Sequence, residues 1–145
     1  MKITTLRKQR GAGLIEVLVS VVILAVGLTG IASMQVRSIR NNVSALEHSI
    51  AVIQAQSMAD ILTISRTKAL AGAFNFAMDD NVPNDPHFVN NSVKQWRTSI
   101  SNLLGTDAKG SINCVSATCT IVVQWNNSRA TEGSATQQVR IEMQP

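Results

Sequence analysis

The chain has 145 residues, of which 45% are hydrophobic but only 3% aromatic. That mix suits a long aliphatic helix joined to one compact domain better than a densely packed enzyme core. The net charge of +4 is unevenly spread: Lys2, Arg7, Lys8 and Arg10 precede Gly11, where there is no acid, and nine basic and nine acidic residues follow. A formally neutral body gives no support for counterion-driven nucleic-acid binding. The basic excess belongs to the first eleven residues, where it reads as topology information.

From Ala12 to Val36 the chain is apolar apart from Glu16, Ser20, Thr29, Ser33 and Gln35. A helix of that length spans roughly 37 Å, against about 30 Å for the hydrocarbon core of a bilayer. Four basic residues lie before it, and Arg37 and Arg40 lie after it. The bias places the N-terminus in the cytoplasm. A secretory signal peptide is the competing reading, since Gly30-Ile31-Ala32 offers a small-x-small cleavage site. Two features oppose it. An acid stands inside the apolar run, and helical periodicity continues through the supposed cleavage point.

A carboxylate within an apolar membrane segment calls for a functional explanation and for a cationic partner. No cation lies in the segment, but cleavage after Gly11 would create an α-amino group one helical turn from Glu16. A first-turn acid favoured by the helix dipole is the plainer alternative. The run Arg10-Gly11-Ala12-Gly13-Leu14-Ile15-Glu16-Val17-Leu18-Val19 resembles the class III leader junction of type IV pilins and pseudopilins. That junction has a basic leader, Gly, four residues, Glu and a long apolar run. The resemblance implies cleavage between Gly11 and Ala12 by prepilin peptidase and N-methylation of Ala12. It also implies that Glu16 neutralises the terminal amine of a neighbouring subunit. Ala12 departs from the Phe most common at that position. The continuation from Leu18 to Gly30, with Gly27 and Gly30, is most similar to minor pilins of the PilV group. Those two glycines serve either local helix flexibility or a small-residue packing face.

Beyond Val36 an amphipathic pattern predicts that the helix continues to about residue 71, with Gly72 as its stop. Ile39, Val43, Leu46, Ile50, Ile53, Ile61 and Ile64 recur at helical spacing, and this stripe is expected to meet a covering domain. One helix over 12–71 would run about 85 Å. Residues 72–91 are crowded with Gly, Asp, Asn and Pro and read as a solvated loop. Its acids lack the order of a calcium loop, and Phe74, Phe76 and Phe88 are expected to anchor it. Ser92-Val93-Lys94-Gln95 has the form of a capping box. A short helix with Val93, Trp96, Ile100 and Leu103 on one side would follow, closed by Gly105.

Three strands are predicted after that helix: Gly110 to Cys114, Cys119 to Trp125 and Gln137 to Met143. Alternation puts Cys119, Ile121, Val123 and Trp125 on one face, and Val139, Ile141 and Met143 likewise. Two cysteines at C-x4-C cannot form a four-ligand zinc site, and His48 and His87 are distant in sequence. If Cys114 pairs with Cys119, Ile112 falls opposite Ile121, so the cysteine and hydrophobic registers agree. A Cys114–Cys119 disulfide is therefore expected outside the cytoplasm, and two free thiols are the alternative.

The expected fold is thus α+β, resembling the type IV pilin fold: one long N-terminal helix packed on a small antiparallel sheet, with a short second helix. Its parts would be a leader over 1–11, a transmembrane and filament-core half over 12–36, an amphipathic half over 37–71 and a periplasmic domain over 72–145. No nucleophile–base pair, metal cluster, phosphate loop or cofactor motif is present, so neither an enzyme nor a cofactor is expected. The resemblance implies a structural minor pilin with prepilin peptidase, other minor pilins, the major pilin and the inner membrane as partners. It implies roles in pilus priming, adhesion and twitching motility. A type II secretion pseudopilin shares the same junction. A single-pass membrane protein with a periplasmic ligand-binding domain is the alternative of another class.

Overall fold

The computed structural model describes residues 13–83 and 87–145. Helix α1 spans Leu14–Ile64, α2 spans Arg66–Leu70 and α3 spans Phe88–Leu104. Strands β1 (Lys109–Val115), β2 (Thr118–Trp125) and β3 (Gln137–Met143) form one antiparallel sheet in the order β1-β2-β3. The fold is the expected α+β arrangement of a long N-terminal helix with a small sheet. Contacts divide the chain into one unit through Ser38 and another from Ile39 to Pro145.

In the first unit the apolar residues of α1 are uncovered. Leu14 is 92% exposed, and no residue between it and Val36 is buried. The helix is long and apolar enough to cross a membrane. Its hydroxyls bond back to the helix's own carbonyls: Ser20 to Glu16 at 2.6 Å, Thr29 to Ala25 at 2.9 Å and Ser33 to Gly30 at 2.8 Å. Polar groups satisfied in this way can enter hydrocarbon without losing hydrogen bonds.

In the second unit a single core gathers one face of α1, α3, one face of the sheet and Phe74. The face of α1 in that core is Ala51, Ala55, Met58, Ala59 and Leu62. This corrects the expected stripe, because Ile39, Leu46, Ile53 and Ile64 are exposed and Ile50 and Ile61 are only partly buried. That face carries Met58 and Leu62, both fully buried, among three alanines that fit close-packed surroundings. The expected run of helix to residue 71 is interrupted at Ser65, with α2 completing it. Thr63, Ile64 and Ser65 are weak helix formers, and Thr63 bonds back to the Ala59 carbonyl at 3.0 Å, which favours a bend. Gly72 then turns the chain at φ +75°.

Helix α3 begins at Phe88 with His87 as its N-cap, five residues before the expected cap at Ser92. Ser92 lies inside the helix and caps nothing, so the capping-box reading fails. The run Asn90-Asn91-Ser92 has turn-like composition but is carried by the apolar face that Val93, Trp96, Ile100 and Leu104 bury. Phe74 and Phe76 do anchor the preceding segment: Phe74 is buried, and Phe76 packs against the core. Phe76 also exchanges both backbone hydrogen bonds with Ile112, each at 3.0 Å. Phe88 is 50% exposed and meets the Lys68 ammonium instead.

Two side chains fasten that segment beside β1. Asn75 accepts from the Cys114 N–H at 2.7 Å and donates to the Cys114 carbonyl at 3.1 Å, imitating a strand partner. Arg97 donates to the carbonyls of Gly110, Asp80 and Ala77. Burial lowers the Arg97 pKa, opposed by the charges of Asp80 and Asp79. The acids of this segment serve the turn: Asp80 accepts from the Ala77 N–H at 2.6 Å, and Asp79 pairs with Lys109.

Candidate processing and assembly site

Gly11 and Ala12 lie outside the described residues. Glu16 stands in the first turn of α1, where its N–H donates to the Gly13 carbonyl at 2.9 Å. Its side chain is exposed, and among the described residues no cation pairs with it. An ionised carboxylate at the edge of an apolar helix favours any cation within about one turn, because neither lipid nor a neighbouring aliphatic side chain can solvate it. The first-turn position also aligns it with the positive end of the helix dipole.

Residues 6–32 match the family model described as the prokaryotic N-terminal methylation motif. The chain carries a prepilin-type N-terminus. The motif runs through the Gly11–Ala12 junction, Glu16 and both Gly27 and Gly30. Joined to a long helix with a small antiparallel sheet, it supports a type IV pilin-like character in general terms. No curated protein and no solved structure matches the chain. Gly27 and Gly30 continue the helix, and nothing lies within 4 Å of where their Cβ atoms would stand.

Cys114 and Cys119 form a disulfide in the structure. They face each other across the β1–β2 hairpin, and Ile112 faces Ile121 one step inward along the same buried face. Ser116 and Ala117 make the turn, with Ser116 at φ 57°. Both cysteines are buried in the core, and the bridge ties the two strands together beside the turn. Reducing the bridge, or the double change Cys114→Ser with Cys119→Ser, should lower stability by about 2 kcal/mol for so short a loop. Urea unfolding of the detergent-solubilised chain, with and without reductant, measures this. Identical midpoints would show that the bridge adds nothing to the folded state.

No cluster of three metal-ligating side chains occurs among the described residues. The side chains that the sequence did not single out are structural. Besides Asn75 and Arg97, Asn127 donates to the Ser44 hydroxyl at 2.7 Å and ties the β2–β3 connection to α1. Trp125 packs edge-on against His48 with ring centroids 6.0 Å apart. Each links positions far apart in sequence, through the main chain, a polar side-chain atom or a ring edge, and no local spacing signals such a pairing.

Proposed function

We propose that this chain is a structural minor pilin of a type IV pilus, of the PilV kind, and not an enzyme. Prepilin peptidase cleaves between Gly11 and Ala12 and methylates Ala12. The apolar half of α1 then anchors the protein in the inner membrane, with the domain from Ile39 onward in the periplasm. During assembly the same half leaves the lipid for the filament core, where Glu16 neutralises the Ala12 amine of an adjacent subunit. The protein acts with other minor pilins and the major pilin to prime the filament, and through it supports adhesion and twitching.

The observation that carries this reading is the methylation motif over residues 6–32, which runs into a helix whose apolar first half buries nothing. An uncovered aliphatic surface of that length is unstable in water and needs lipid or other helices around it. A bond across the β1–β2 hairpin suits an oxidising compartment.

The test is deletion of the gene with two readouts in one strain. Loss of surface pili with secretion intact is expected. Loss of protein secretion with pili intact would instead assign the chain to a type II secretion system. If both persist, with the chain recovered only in membranes, it is a membrane-anchored periplasmic protein of another class.

A further inference from the structure

A cavity of about 470 Å³ lies wholly within the second unit, between α1 and the connection from β2 to β3. That volume falls in the range of about 300–1,000 Å³ typical of small-molecule sites. Arg40 and Glu47 line it from α1, and Arg129 lines it from the connection. A spacing of seven residues puts Arg40 and Glu47 on one helix face, about 10 Å apart along the axis, with Arg40 nearer the apolar half. Neither arginine nor Glu47 makes a hydrogen bond or an ion pair with any described residue. Ile39 and Val43, 62% and 49% exposed, add an apolar wall beside Arg40.

We propose that this cavity seats the headgroup of a phospholipid whose phosphate is followed by a primary ammonium, as in phosphatidylethanolamine. The inference rests on the membrane-anchored part of the reading above and on nothing further in it. Arg40 stands four residues past Val36, about 6 Å along the helix from the end of the apolar run. One polar layer of a bilayer is about 5–8 Å deep, so Arg40 leaves the helix at the level of the lipid phosphates. Two guanidiniums without a partner in the chain suit a phosphodiester, whose oxygens accept paired N–H bonds from each. Glu47 then decides which lipid. An acid in the same cavity repels a purely anionic head, whereas it accepts from an ammonium carried beyond the phosphate. The order of charges along α1, cation near the apolar half and acid farther out, is the order of phosphate and ammonium along such a head. A choline head has the same charges, but its quaternary nitrogen has no N–H to donate. Ile39 and Val43 would meet the glycerol and the first methylenes of the chains, which a free phosphate ion lacks.

The test is native mass spectrometry of the full chain as extracted from its membrane. It is offered equal amounts of phosphatidylethanolamine, phosphatidylglycerol and phosphatidylcholine with the same acyl chains. Phosphatidylethanolamine should be retained about five-fold or more above either of the others, the scale set by one or two partly exposed charge pairs. Arg40→Gln combined with Arg129→Gln should remove that excess. Glu47→Gln should instead raise phosphatidylglycerol to the level of phosphatidylethanolamine. Arg37→Gln, at a position outside the cavity lining, should change nothing. Because Arg40, Arg129 and Glu47 hold no bond in the fold, every variant should keep the wild-type unfolding midpoint, so a lost lipid is not lost structure. Inorganic phosphate should not displace the lipid; displacement would overturn the choice of a lipid and assign the site to a free anion. Equal retention of the three lipids would overturn the proposal, as would a preference that survives the double arginine change. Wild-type preference for phosphatidylglycerol would overturn the part given to Glu47. A membrane-bound chain without lipid preference rejects this inference alone, whereas a chain recovered only in the soluble fraction rejects the anchoring on which it rests.

Discussion

Gly110→Ala should lower the thermal unfolding midpoint by about 10–20 °C, from a loss of about 2–3 kcal/mol in a domain of this size. Gly110 is in β1 on the buried face, and a Cβ there would stand 2.5 Å from both Cη2 and Cζ3 of Trp96 and 2.9 Å from Cδ1 of Ile100. The indole cannot simply swing away. Its Nε1 donates to the Gln54 carbonyl of α1 at 2.8 Å, so moving the ring breaks the link between α3 and the long helix. One missing methyl group therefore lets α3, β1 and α1 meet at one ring. Gly27→Ala is the matched control, because open space surrounds that position and alanine favours helix. Differential scanning of the solubilised chain measures both variants. If Gly110→Ala melts with the wild type, the indole is not seated on β1 as described.

Glu16→Ala should cut the amount of this protein in sheared pili by about ten-fold or more, while its membrane level and leader cleavage stay at wild-type values. Removing the charge makes the apolar segment more lipophilic, so insertion has no reason to fail. Assembly is different. Burying the Ala12 amine in a filament core without a carboxylate leaves an uncompensated charge, which costs several kcal/mol, and about 1.4 kcal/mol already gives a ten-fold effect. Glu16→Gln keeps the shape and the hydrogen bonding but not the charge, so it should behave like the alanine variant. Incorporation of both variants at the wild-type level would reduce Glu16 to a first-turn helix acid.

These two positions show what the sequence did and did not disclose. The sheet was legible because its signals are local and mutually consistent. Alternation fixed the faces of β2 and β3, and only one hairpin register places Ile112 against Ile121 and Cys114 against Cys119 together. The apolar first half of α1 was legible as one continuous helix from its length and composition. The buried face of the second half was not. Hydrophobicity ranks Ile, Leu and Val above Ala, so the strongest stripe drew attention away from the face where three alanines join Met58 and Leu62 in the core. The start of α3 was hidden by Asn90, Asn91 and Ser92, whose turn preference is weaker than the burial of Trp96 and Ile100. The Gly110 contact and the Arg97 bonds were illegible because they depend on which main-chain atoms tertiary folding brings near.

The most direct measurement of the central claim is the intact mass and N-terminal sequence of the protein extracted from its native membrane. A mature chain that has lost residues 1–11 and begins at an N-methylated Ala12 is the expected result. A chain that begins at Met1, or one cut to begin at Ser33 as a secretory signal peptide would leave it, contradicts the pilin reading.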